Sequence, residues 1–167
     1  NDGPGTYAVG AQQIIAMITN APSEDFETAR KSIDTALDFV DRKPYQQVID
    51  ALIRRLDTEI GRGNFLADIK PGEKHDGMNI VLVEYLIDVV GSMAPAEYAP
   101  QLEALVKKVT DIANSNEVTK MAFEHRKLGD KFEIYLKACR SNNAKLVALP
   151  GSDGAAYGDK ALADELK

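Results

Sequence analysis

Pro44-Tyr45-Gln46-Gln47-Val48-Ile49-Asp50-Ala51-Leu52-Ile53-Arg54-Arg55-Leu56-Asp57-Thr58-Glu59-Ile60-Gly61 is the stretch that decides the fold. Tyr45, Val48, Leu52, Leu56 and Ile60 recur every three to four residues, with Asp50, Arg54, Arg55 and Asp57 interspersed, which is the spacing of a buried stripe on an amphipathic helix. Pro44 suits a first helical position, where its missing N–H would have had no partner, and it disfavours helix at Lys43, so the chain should bend there. Gly61 and Gly63 supply the C-terminal stop. The result is a helix of about 17 residues, roughly 25 Å long.

The same period continues on both sides. Upstream, Tyr7, Ala11, Ile14, Ile15 and Ile18 predict a short first helix, broken by Asn20, Ala21 and Pro22. Ser23 is a suitable N-cap, with Glu24, Asp25 and Glu27 at the positive end of the helix dipole, and Phe26, Ala29, Ile33, Leu37 and Val40 predict a helix from about 23 to 42. Downstream, Met78, Val81, Leu82, Tyr85, Leu86 and Val89 form a wide apolar face ending at Gly91. The valines would also suit a buried strand, but a lone strand has no ladder partner and the neighbours are helical.

Pro95 opens another helix, with Tyr98, Leu102, Leu105, Val109 and Ile112 on its stripe and Glu103 placed to pair with Lys107; Asn114, Ser115 and Asn116 end it. Val118, Met121, His125, Leu128, Phe132, Tyr135 and Cys139 then predict one narrow seam on a long helix from about 117 to 140. The expected fold class is all-α: an up-down four-helix bundle with an additional helix and an extended C-terminal tail. Residues 1–140 would form the helical bundle domain and 141–167 a C-terminal extension. In that extension Leu146, Val147 and Leu149 make a small apolar anchor, and a short helix from 160 to 165 closes the chain. The stretch 61–77 is either an Ω-loop or short helix tucked onto the bundle by Phe65 and Leu66, or a docking loop for a partner.

With 167 residues, 44% hydrophobic, the chain is long enough to bury roughly 70% of its unfolded surface as one domain, needing neither disulfides nor a structural metal. A net charge of −6 and a pI near 5.0 disfavour nucleic acid as a partner. The most apolar window, Met78 to Gly91, is too short and too charged for a membrane span, which needs about 20 residues. Cys139 is the one cysteine and makes no internal disulfide, so the redox compartment stays open.

Charge is unevenly placed. Residues 1–100 hold 9 basic and 16 acidic residues, whereas 101–149 hold 9 basic and 6 acidic. Lys107, Lys108, Lys120, Arg126, Lys127, Lys131, Lys137, Arg140 and Lys145 would form either a positive docking face or an ordinary solvated one laced by i,i+4 pairs.

The motifs of phosphate loops, dinucleotide folds, CxxC pairs, haem attachment and HExxH zinc sites are absent. A di-iron bundle needs Glu-x-x-His, but Gly72 precedes His75 and Ala122 precedes His125 at that spacing. No metal or cofactor is expected and no catalytic residue is assigned. His125 is either a ligand or a packing residue on the seam; His75, between Glu73 and Asp76, is either a ligand or a solvated loop residue. Cys139 reads as a buried or a reactive thiol, and Tyr45, Tyr85, Tyr98 and Tyr135 as core-edge residues or the lining of a pigment pocket.

Phe39-Val40-Asp41-Arg42-Lys43-Pro44-Tyr45, followed by Asp50, Leu52, Arg54, Arg55, Leu56 and Asp57, resembles the bend and second helix of the PsbQ-type extrinsic proteins of photosystem II. Ala94-Pro95-Ala96-Glu97-Tyr98, with Leu102, Val106, Val109 and Ile112, is similar to the start of that family's last helix. The likeness covers about residues 23 to 114; the family often carries Trp where Tyr45 stands. It implies a divergent, algal-type four-helix protein that is not an enzyme. Such a protein docks on the lumenal side of photosystem II, contacts the membrane-protein core and other extrinsic subunits, and helps the oxygen-evolving complex retain calcium and chloride. The implied address is the thylakoid lumen, peripheral to the membrane and not inserted, after loss of a transit peptide, with which the start at Asn1 agrees. Arg42, Lys43, Arg54 and Arg55, with Lys107 and Lys108, are the implied docking residues. The alternatives are an unrelated soluble helical interaction module, such as an adaptor or an exported or cytoplasmic bacterial protein, and an enzyme or cofactor carrier, which the lack of any acid, base and nucleophile grouping disfavours.

Overall fold

The computed structural model describes residues 9–63, 77–149 and 156–157. Seven α-helices lie among them: α1 (Ala11–Thr19), α2 (Phe26–Phe39), α3 (Gln46–Ile60), α4 (Ile80–Met93), α5 (Ala99–Ala113), α6 (Glu117–His125) and α7 (Leu128–Arg140). A 3-10 turn at Ala96–Tyr98 leads into α5, which carries Pro100 in its first turn. The remaining regular structure is a pair of two-residue strands, β1 (Val9–Gly10) and β2 (Ala156–Tyr157), antiparallel with Val9 opposite Tyr157. The protein is an all-α bundle, and none of its described helices is long and apolar enough to cross a membrane.

The caps come from polar side chains that accept from otherwise unpaired first-turn amides. Asp25 accepts from the Thr28 amide at 3.2 Å, Asn79 from Val81 and Leu82 at 3.1 and 3.2 Å, and Asn116 from Thr119 at 2.9 Å. Helix α2 therefore begins after Asp25, not at Ser23, and it ends at Phe39. Pro44 lies outside α3, whose N-cap is Tyr45.

The apolar helix α4 forms the centre. It packs against α2, α3, α5 and α7, with α7 its most extensive partner, while α1 closes over α2 and α3. Leu82, Val83, Leu86, Ile87 and Val90 are fully buried, each contributing about 1.5–3 kcal/mol relative to exposure. Gly91 does not stop this helix, which runs on to Met93. A Cβ built on Gly91 would stand 2.5 Å from the backbone carbonyl oxygen of Tyr135, so the glycine is there to let α7 approach.

The segment from 117 to 140 is two helices, not one. Lys127 adopts a left-handed conformation (φ 55°) and interrupts the helix between His125 and Leu128. The break re-phases the apolar seam. Leu128, Phe132 and Cys139 point into the core as the period predicts, but on α6 Thr119 and Phe123 are buried, whereas Val118 (73% exposed) and Met121 (64%) face outward. The helix beyond the expected four is a full member of the core, through the close α4–α7 contact.

Nor is the region after α7 simply appended. The Val147 amide donates to the Pro44 carbonyl at 2.9 Å, the Gln46 amide donates to the Val147 carbonyl at 2.7 Å, and Leu149 is buried. Residues 142–149 thus strap the bend between α2 and α3. The expected loop helix or Ω-loop with Phe65 and Leu66, His75, Tyr7 and the 160–165 helix lie outside the described residues.

Candidate functional site

Two polar constructions stand out, one at each end of α3. The first is the bend at its N-terminus. Asp41 (φ 56°) and Arg42 (φ 52°) are consecutive left-handed residues without being glycine. Such backbone persists only where surroundings over-determine it. Here the Arg42 guanidinium bonds Asp38 at 3.1 Å and Asp34 at 3.4 Å, and Val147 holds Pro44 from the far side. Asp34 is itself the meeting point of Arg30 (3.0 Å), Arg42 and the Tyr85 hydroxyl, which donates to it from α4. Lys43 is exposed at the corner and has no ion pair among the described residues. Lys145, on the strap two residues before the Tyr45–Val147 bridge, is likewise exposed.

The second construction joins the C-terminal half of α3 to the end of α1. Arg55 is only 6% exposed. Its guanidinium donates to the carbonyls of Ile18 (3.0 Å) and Thr19 (3.2 Å), which end α1 and have no helical partner, and to Ser23 Oγ (3.0 Å). Ser23 Oγ donates to Glu59 Oε1 at 2.8 Å, the Asn79 amide donates to Glu59 Oε2 at 3.0 Å, and Asn79 Nδ2 donates to the Ser23 carbonyl at 2.7 Å. Burial pushes the Arg55 pKa down against the pull of Glu59, 3.8 Å away. Above this floor opens a cleft of about 370 Å³ lined by Thr19, Asn20, Arg54, Thr58 and Arg62 among others.

The six residues expected to dock therefore separate. Arg42 and Lys43 sit together at the bend. Arg54 is exposed at the cleft, while Arg55, one residue on, is buried in its floor and tied to the α1 carbonyls and Ser23. Lys107 and Lys108 are exposed on α5, but each is paired, Lys107 with Asp111 at 2.8 Å and Lys108 with Asp57 at 3.0 Å. Glu103 pairs with Arg140, not with Lys107. Lys131 lies 3.9 Å from Glu84. The 101–149 face is thus laced with acidic partners at these positions.

His125 is exposed at the end of α6, so it is neither a packing residue nor turned into the core. Cys139 is buried, its Sγ 3.5 Å from the Ala94 carbonyl, and burial raises its pKa. Three tyrosine hydroxyls tie helices to carboxylates: Tyr85 to Asp34, Tyr98 to Asp50 at 3.1 Å and Tyr135 to Glu84 at 2.8 Å. Among the described residues no cluster of His, Cys, Asp and Glu has the arrangement of a metal site.

Asp34, Glu59 and Asn79 were not singled out by sequence reasoning, and Ser23 was singled out only as a helix cap. Glu59 carried a signal, since it sits between Leu56 and Ile60 on the buried side of its helix. Ser23 and Asn79 reach it from 36 and 20 residues away and carried none. Compared with protein-family models, curated proteins and solved structures, the chain matches none.

Proposed function

We propose that the protein is a non-catalytic docking subunit of the extrinsic photosystem II class, attached to the lumenal face and helping the oxygen-evolving complex retain calcium and chloride. The observation that carries this reading is the α2–α3 corner. Its left-handed Asp41–Arg42 pair is held by Asp34, Asp38 and the 142–149 strap, and it carries an exposed Lys43 that has no ion pair among the described residues. Strained backbone fixed by several elements marks positions where geometry is maintained for a purpose beyond packing. A pre-formed corner loses little conformational freedom on docking, and its exposed Lys43 favours an acidic surface. The corner also comprises the residues on which the family resemblance rests.

The test is rebinding to salt-washed photosystem II, scored by co-sedimentation and by oxygen evolution at low calcium and chloride. Saturable, salt-reversible binding with recovered activity, weakened by Lys43→Glu, is the expected result. Failure to bind complexes that still accept their other extrinsic subunits would overturn the reading and leave a helical interaction module of another kind.

A further inference from the structure

The cleft at the other end of α3 has features that neither folding nor corner docking uses. Arg54 and Thr58 stand at positions i and i+4 on one face of α3, and Arg62 follows in the turn just past the end of that helix. All three are exposed at the cleft mouth. Arg54 has no ion pair among the described residues. Arg62 Nε lies 3.5 Å from Glu59 Oε2, and the Arg62 terminal nitrogens have no hydrogen bond among the described residues.

Among the described residues of the lining, the one acidic group is already occupied. Glu59 accepts from Ser23 and the Asn79 amide and faces Arg55, which is itself consumed by the α1 carbonyls. Among the described residues the lining holds three arginines to one carboxylate, with Glu24 also acting on Arg55, so positive charge is in excess there although the chain as a whole is −6. A guanidinium offers a planar fork of donors that matches a carboxylate or phosphate two bonds at a time. Thr19, Asn20 and Thr58 add neutral polar groups around it. The volume of about 370 Å³ is that of a small-molecule site.

We propose that this cleft binds a small organic oxyanion, a phosphate ester or a di- or tricarboxylate, held between the Arg54 and Arg62 guanidinium groups with the Thr58 hydroxyl donating between them. The site lies at the opposite end of α3 from the corner and stands or falls separately from the docking role.

Isothermal titration of the full chain at low salt with pyrophosphate, and separately with citrate, tests it. At least one probe binds at one per chain; pyrophosphate alone identifies a phosphate ligand, citrate alone a carboxylate, and both the shared oxyanion chemistry. Arg54→Ala/Arg62→Ala weakens that binding at least tenfold. Arg54→Ala alone, at a position the fold does not use, weakens it severalfold, so the outcome does not depend on the double variant folding. Lys107→Ala/Lys108→Ala leaves it unchanged. Absence of one-to-one binding for both probes, or binding that survives Arg54→Ala unaltered, or an equal loss in the lysine variant, overturns the proposal.

Discussion

Val147 holds Pro44: its amide donates to the proline carbonyl at 2.9 Å, and its own carbonyl accepts from Gln46 at 2.7 Å, so residues a hundred positions apart share one short parallel bridge. The consequence is that the α2–α3 corner is held by the strap as well as by its own ion pairs. Leu149→Ala, which removes the buried side chain anchoring the strap, should lower stability by about 2 kcal/mol. The check is urea unfolding, where the midpoint falls and the slope stays constant.

Gly91→Ala offers a test of sign. In an exposed helix interior the change would stabilise by about 1 kcal/mol. Here the new methyl meets the Tyr135 backbone carbonyl at 2.5 Å, and backbone cannot rotate aside. Overpacking should dominate and destabilise by about 1–3 kcal/mol, read as a lower Tm. A raised Tm would mean that α7 is not packed on α4 at this point.

The buried Arg55–Ser23–Glu59 arrangement predicts a large effect at a residue that looks like a surface charge in sequence. Arg55→Ala removes the buried cation beside Glu59, leaving it only the more exposed Arg62, and takes away the guanidinium that donates to the Ile18 and Thr19 carbonyls. The expected loss is about 3–5 kcal/mol, as for breaking one side of a buried pair. Arg54→Ala, exposed next door, should stay within about 0.5 kcal/mol of the parent in the same denaturation experiment.

Alkaline pH should weaken the bundle through its tyrosine–carboxylate pairs. Burial, then the hydrogen bond to Asp50 and its charge, push the Tyr98 phenol from 10.0 up to about 12, and Tyr85 and Tyr135 are raised by the same causes. The unfolded chain therefore loses these protons first. Stability from the raised phenols is fully present below about pH 10 and is lost as pH rises toward 12. Ultraviolet titration of phenolate against chemical denaturation at each pH checks this, and Tyr98→Phe should shallow the decline. A stability curve flat from pH 9 to about pH 12 would contradict the pairs.

For docking, unequal effects are expected from equal charge changes. Lys43→Glu should raise the Kd for the partner complex several-fold and reduce its salt dependence, because this lysine has no carboxylate partner among the described residues. Lys107→Glu and Lys108→Glu, which replace residues already neutralised by Asp111 and Asp57, should change it less. Co-sedimentation across a salt series distinguishes the two. Equal losses from all three would move the docking surface to α5.

The stripes that make α2, α3, α5 and α7 were legible because helical periodicity is local: Val48, Leu52, Leu56 and Ile60 need only their own spacing to form a buried face, and they are buried. The seam through Val118 and Met121 was misread for the same reason. A single left-handed residue, Lys127, shifts the phase, and nothing in the spacing announces it. Ser23 reads as a helix cap because serine usually is one, yet its hydroxyl is taken by Glu59 and Asp25 caps the helix instead.

Of the charged residues, sequence alone identified where they lie and left open what each one meets. Arg54 and Arg55 are neighbours with the same chemistry. The 100° between successive helical residues sends one to the cleft mouth and the other beneath α1, and only the packing of α1 over α3 decides which. By itself the sequence determined an all-helical chain, a bend at Lys43–Pro44 and the places where apolar faces run. Tertiary structure decided that α7 belongs to the core, that the strap closes on the bend and that Arg55 is internal. Those outcomes depend on contacts between residues far apart in the chain, whose energies no local pattern encodes.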